Sequence, residues 1–180
     1  GGRVELGLGV GWMKEEFDAL GVPWEKRGAR NDEYIEAMRA LWQGPHAEYH
    51  GDFVDFEPAT CSPRPVNGSI PVIVGGDSDA AISRAVRIAD GYFPGEGDIA
   101  QLGALLDRVR QAAEAAGRDP ASIEFSAIFG SQMANPEQGV EEMASIGVDR
   151  IMVPAFFFGG PDGLDNLDQL SERIMPIANG

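Results

Sequence analysis

Two hydrophobic periods alternate along this chain. Short runs of branched and aromatic residues read as buried strands near 4–10, 71–75, 91–94, 123–129 and 149–156, the last apolar run reaching from Arg150 to Phe158. Between them, apolar residues recur every three to four positions, the mark of helices with one buried face. Lys14 to Leu20 forms a short helix closed by Gly21, with Pro23 beyond it. Asn31 or Asp32 is expected to cap a helix carrying Tyr34, Ile35, Met38, Leu41 and Trp42, which stops at Gly44-Pro45. Asp77 or Ser78 is expected to cap a helix with Ala81, Ile82, Ala85 and Val86 on one face. Asp98 caps a long helix with Leu102, Leu105, Leu106 and Val109, and Gly117 sits just past its end. Asn135-Pro136 opens a helix bearing Val140 and Met143, and a last helix presents Leu164, Leu167, Leu170, Ile174 and Ile177. Glu48 to Phe56 reads as a small hairpin about His50-Gly51-Asp52.

Strands that alternate with helices predict a parallel sheet with right-handed crossovers. The alternation fits a (β/α)8 barrel or an open doubly wound sheet, and nothing divides residues 1–180 into two domains. In both folds ligands bind at the C-terminal ends of the strands. The stretch Pro71 to Ser78 is central to the pattern. Its strand runs into Gly75-Gly76, where the backbone turns sharply and a ligand can approach main-chain N–H groups. The helix that follows offers unpaired N–H groups suited to a phosphate. Gly9-Val10-Gly11-Trp12 ends the first strand in the same way, although Trp12 could equally be a core residue.

A formal charge of −15 argues against nucleic acid or an anionic membrane surface as partner. It leaves room for a local basic pocket, since Arg64, Arg84 and Arg87 lie near the central strand. With one cysteine, Cys61, neither an internal disulfide nor a cysteine-based zinc site can form. No apolar run is long enough to span a bilayer and no signal-like segment opens the sequence, so a cytoplasmic location is the expectation. His50 is a weak candidate acid because it falls at a hairpin turn, and His46 is no better. Asp90 reads as a structural acceptor.

A series of motifs stands in fixed order along the chain. Gly2-Arg3 leads into Gly9-Val10-Gly11-Trp12, followed by Glu15-Glu16-Phe17 and Ala19-Leu20-Gly21. Arg27-Gly28, Arg30, Asp32-Glu33, Leu41-Trp42 and His50-Gly51 with Phe53 come next. Pro63, Pro65-Val66, Val74-Gly75-Gly76 with Ser78, and Ala89-Asp90-Gly91 complete the series. This series resembles the luciferase-like monooxygenase family, in particular its deazaflavin-dependent (coenzyme F-420) oxidoreductases, and from residue 96 onward the likeness is architectural, helped by Gly117-Arg118-Asp119-Pro120.

The resemblance implies an α/β fold of TIM-barrel type, incomplete, made of about the last five β/α units with a small hairpin insertion. Strands one to three of such a barrel would precede Gly1, and the open strand edges suggest a homo-oligomer. The function implied is hydride transfer between a deazaflavin and a small organic substrate. The alternatives are an FMN-dependent monooxygenase using molecular oxygen, and a non-catalytic flavin-binding or interaction module. The cofactor-holding residues carried over are Gly75, Gly76 and Ser78, with Gly11, Trp12 and Met13. No catalytic residue is assigned and no metal is expected. Some deazaflavin relatives place a Lys for the phosphate near the position of Glu96, so Arg64 or Arg84 would have to compensate.

Overall fold

The computed structural model describes residues 1–178. Five strands form one parallel sheet: β1 (Leu6–Leu8), β4 (Val72–Gly75), β5 (Gly91–Phe93), β6 (Glu124–Ile128) and β7 (Arg150–Met152), in the order β1-β4-β5-β6-β7. Helices α3 (Asp79–Ile88), α4 (Ile99–Ala115) and α5 (Pro136–Ser145) connect successive strands from β4 onward, and α6 (Gly163–Ala178) follows β7. Between β1 and β4 lie α1 (Lys14–Leu20), α2 (Arg27–Gln43) and an antiparallel hairpin of β2 (Ala47–His50) and β3 (Asp55–Ala59). The hairpin turns where the sequence places it. Its tip is fixed by Glu33 of α2, whose carboxylate accepts the N–H groups of Asp52, Phe53 and Val54 at 3.1, 2.6 and 2.6 Å.

The strand register sorts side chains by face, because paired residues in a parallel ladder point the same way. Leu8, Val74, Tyr92 and Phe125 form one row across the sheet. This row turns toward the helices and meets Ile82, Ala85, Leu102, Leu106, Val140 and Met143 in a single core. Each strand's alternate residues form the inner face: Gly7, Ile73, Gly91 and Glu124 in one row, with Gly75, Phe93, Ser126, Arg150 and Met152 beyond. The sheet curls far enough for its two edges to meet through their inner side chains. The Arg150 guanidinium on β7 forms a two-pronged ion pair with Glu5, just before β1, and also reaches Glu124 on β6 at 3.0 Å. That curl, with helices outside and a concave face within, is the barrel form of the two folds open from sequence.

The caps follow the sequence in part. Ser78 Oγ accepts the Ala81 N–H, Asp98 accepts that of Gln101, and Gly117 takes φ +72° past α4. Asn31 and Asp32 are not caps. Lys26 adopts φ +55°, the helix starts at Arg27, and Asp32 lies inside it, ion-paired with Arg84 and Arg87 of α3. Asn135 precedes α5 but directs its amide to Gln138 Oε1. The strand expected to run on from Arg150 ends at Met152. Pro154 has no N–H to continue a ladder, and Ala155–Phe158 winds into a 3-10 turn. Among the described residues, no helix is long and apolar enough to cross a membrane.

Candidate functional site

The inner face encloses a cavity of about 460 Å³, within the range of small-molecule sites. Its wall is largely glycine and apolar: Gly7 and Gly9 from the β1 segment, Ile73 and Gly75 from β4, Phe93 from β5 and Met152 from β7. A Cβ built on Gly7 or Gly9 would meet nothing within 4 Å, so these positions face open space that side chains would fill. Gly91 is different, since a Cβ there would strike Ile73 at 2.6 Å and the Glu124 carbonyl at 2.9 Å. Gly7 and Gly9 therefore leave the cavity open, while Gly91 serves strand packing.

The polar pole of the cavity is the Glu5–Arg150–Glu124 group with Ser126, whose hydroxyl donates to Glu124 at 3.3 Å. The hydrogen bond from Arg150 holds the Glu5 carboxyl below the usual carboxylate range, and Glu5 in turn raises Arg150. Glu5 and Arg150 therefore stay ionised near neutrality, and neither is a proton donor. These residues were missed from sequence. The only trace is a polar residue at an inward position of an apolar strand, as in Glu124 and Ser126 or Arg150 before Met152.

Of the residues carried over by resemblance, Gly75 lines the cavity at the end of β4. Gly76 follows with φ +107°, and its carbonyl accepts the Tyr92 hydroxyl at 2.7 Å. Burial, and then the nearby Asp77 carboxylate, push the Tyr92 phenol well above its ordinary value, so it stays a donor. Ser78 uses its oxygen as the α3 cap, and Asp77 accepts the Gly95 N–H at 2.9 Å, tying the β4–α3 turn to the β5–α4 turn.

On the β1 side, Gly11 takes φ +78° beneath the Phe17 ring, where a Cβ would clash at 2.6 Å. Arg27 donates to the Gly11 carbonyl at 3.2 Å and lies 3.6 Å above the Trp24 ring, which meets Phe17 edge-on. This support fixes the loop, and the loop presents Trp12, 83% exposed. Trp12 is not core. Met13 stands at the start of α1 with no polar contact from its side chain.

Both histidines lie away from the cavity. His50 pairs with Asp55 on the exposed hairpin, and His46 precedes β2. Asp90 is structural, accepting the Val72 N–H and an Arg39 contact, each at 2.9 Å. Among the described residues, no group of three or more His, Cys, Asp or Glu could hold a metal ion.

Parallel strands curled about a glycine-walled cavity, with turns gathered at the strand C-terminal ends, define a TIM-barrel-type fold. The profile of the luciferase-like monooxygenase family matches residues 1–171, and the chain belongs to that family. An uncharacterised protein of Mycobacterium tuberculosis is 36% identical over 184 residues, 97% of this chain and 62% of its own length. The FMNH2-dependent dimethylsulfone monooxygenase of Pseudomonas putida is 36% identical over 121 residues, covering 65% of this chain and 33% of that one. Among solved structures, the coenzyme F-420-dependent tetrahydromethanopterin reductase of Methanopyrus kandleri superposes with a TM-score of 0.77 at 17% identity, over 97% of this chain and 74% of its own. The chain thus spans about three-fifths of the length of the curated mycobacterial relatives it matches.

Proposed function

We propose that the chain forms the cofactor-holding part of an oxidoreductase that moves hydride between a deazaflavin and a small organic substrate. The observation that carries this reading is the cavity wall at Gly7 and Gly9, which leaves room for a planar ring at the strand ends. The ring supplies the hydride chemistry when bound, and the protein supplies position and a dry wall. Gly75 and Gly76 allow main-chain approach, Ile73, Phe93 and Met152 exclude water, and Gly11, Trp12 and Met13 flank the mouth. Ser78 retains a hydroxyl hydrogen to donate beside them. Arg150 keeps the far pole of the cavity ionised and fixed. Among the described residues β1 and β7 are each paired on one side only, and association with a second copy belongs to the same reading.

FMN with molecular oxygen is the second reading, favoured by the 36% identity to an FMNH2-dependent monooxygenase over 121 residues. Titration of the purified chain with coenzyme F-420 and, separately, with FMN, followed by ring fluorescence, tests both. Saturable binding of coenzyme F-420 alone supports the first reading, and of FMN alone the second. Binding of neither, nor of their phosphate-free rings, refutes cofactor holding by this chain.

A further inference from the structure

We infer that the rim formed by the β4–α3 and β5–α4 turns rejects an anionic cofactor tail, and that Glu96 is its charge-selecting residue. The inference rests on the reading that the cavity takes a flavin-type ring. From sequence, the start of α3 is a natural phosphate seat. In the structure that seat is flanked by carboxylates and partly engaged. Ser78 Oγ takes the Ala81 N–H at 3.2 Å, and Asp77 takes that of Gly95 at 2.9 Å. At the start of α4, a single Glu96 oxygen accepts the N–H groups of both Gly97 and Asp98 at 2.8 Å, and Asp98 accepts that of Gln101 at 3.0 Å. Four N–H donors at these turns, those of Gly95, Gly97, Asp98 and Gln101, are thus filled by the chain's own carboxylates.

Several cations of the flanking elements are already committed. Arg108 is paired with Asp79, Lys14 with Asp18 at 2.7 Å, and Arg27 is held by the Gly11 carbonyl and the Trp24 ring. The two arginines that could have compensated do not. Arg64 donates to the carbonyls of Trp42 and Gln43, and Arg84 is buried against Asp32. A phosphate brought to these turns meets Asp77, Asp79, Glu96 and Asp98 with one arginine among them, and like charges repel. The phosphate of a flavin or deazaflavin does not fit here, whereas the uncharged ring fits the glycine wall.

The test compares ligands that differ in the tail alone: riboflavin with FMN, and the phosphate-free deazaflavin riboside with coenzyme F-420, each titrated into the wild-type chain and into Glu96→Gln. The glutamine keeps an oxygen for the Gly97 and Asp98 N–H groups and removes the charge. In the wild type, the phosphate-bearing form of whichever ring binds is expected to be no tighter than its phosphate-free form, and added salt should narrow the gap. Glu96→Gln should tighten the phosphate-bearing form about fivefold, an effect below 1.4 kcal/mol, and leave the phosphate-free form unchanged. The unchanged form also reports that the variant is folded. A phosphate-bearing form at least about threefold tighter in the wild type, or a Glu96→Gln variant that treats both forms alike, overturns the charge-selecting rim while the ring reading stands. Failure of all four ligands to bind overturns both.

Discussion

The two faces of the same five strands are built on opposite principles. Outward, Val72, Val74, Tyr92, Phe125 and Ala127 are at most 4% exposed and packed by helices along their whole length. Inward, Gly7, Gly9 and Gly75 alternate with Ile73, Phe93 and Met152, and polar residues join hands across the cavity. One face stores the stability and the other leaves volume empty for a ligand. Changes on the outer face should therefore be costly to folding and indifferent in chemistry, and changes on the inner face the reverse.

The largest effect belongs to the outer side. Phe129 is fully buried at the end of β6 among the core residues, and a Cβ on Gly139 would already touch its ring at 3.0 Å. Phe129→Ala should cost about 3–5 kcal/mol, read as a shift in the urea midpoint. A loss under 1 kcal/mol would mean that the helices do not close on this face. Arg84→Ala should cost about 3 kcal/mol, the lower end for a broken buried pair, because Asp32 keeps Arg87 at 2.6 Å. The same denaturation measurement checks it, and an Asp32→Asn partner should recover part of the loss.

Next comes the turn joining the two faces. Gly76 at φ +107° sits where a side chain is strained, and its Cβ would lie 3.3 Å from that of Ala81. Gly76→Ala should cost about 1–3 kcal/mol, seen as a lower melting temperature. Equal stability would show that the turn relaxes freely.

The outer face was readable from sequence because burial writes a period. Val72 and Val74, or Leu102, Leu106 and Val109, repeat at the spacing their element demands. The inner face wrote no such signal. Glycine left for a ligand looks like glycine left for a turn, and Arg150 meets Glu5 across 145 residues, a pairing only the curled sheet creates. The missed cap has a similar cause. Asp32 is a good cap by type, but two arginines one helix away offer its carboxylate more than an N–H does. The overlong last strand came from counting Phe156 to Phe158 as pleated, although Pro154 had already ended the ladder. Motif order carried the family, but not the contacts that line the inner face.

On the inner face the expected stability cost is small and the functional one is not. Gly9→Val adds a side chain where nothing lies within 4 Å, so unfolding free energy should change by less than about 1 kcal/mol. Affinity for the ring cofactor should drop at least about tenfold, since the added methyls occupy its space. Calorimetric melting and the ring titration, run on one preparation, separate the two. Equal affinity in Gly9→Val would remove this wall from the site.

The smallest effect concerns the ion pair that links the sheet's edges. Both side chains are at least a third exposed, Glu5 at 35% and Arg150 at 43%, so solvent screens the pair. Its sign is nevertheless fixed. The Glu5 carboxyl lies below its ordinary value of 4.5 in the folded chain because Arg150 favours the charged form. A depressed value means that the stabilisation is fully present above pH 4.5 and fades as pH falls through the folded value. Glu5→Gln should thus lower the melting temperature slightly at pH 7, and the gap from wild type should narrow at pH 3. Arg150 keeps Glu124 in both proteins, which limits the loss to one arm of the link. A gap that widens on acidification would mean that Glu5 is held by something other than Arg150, and that the sheet's curl does not depend on this contact.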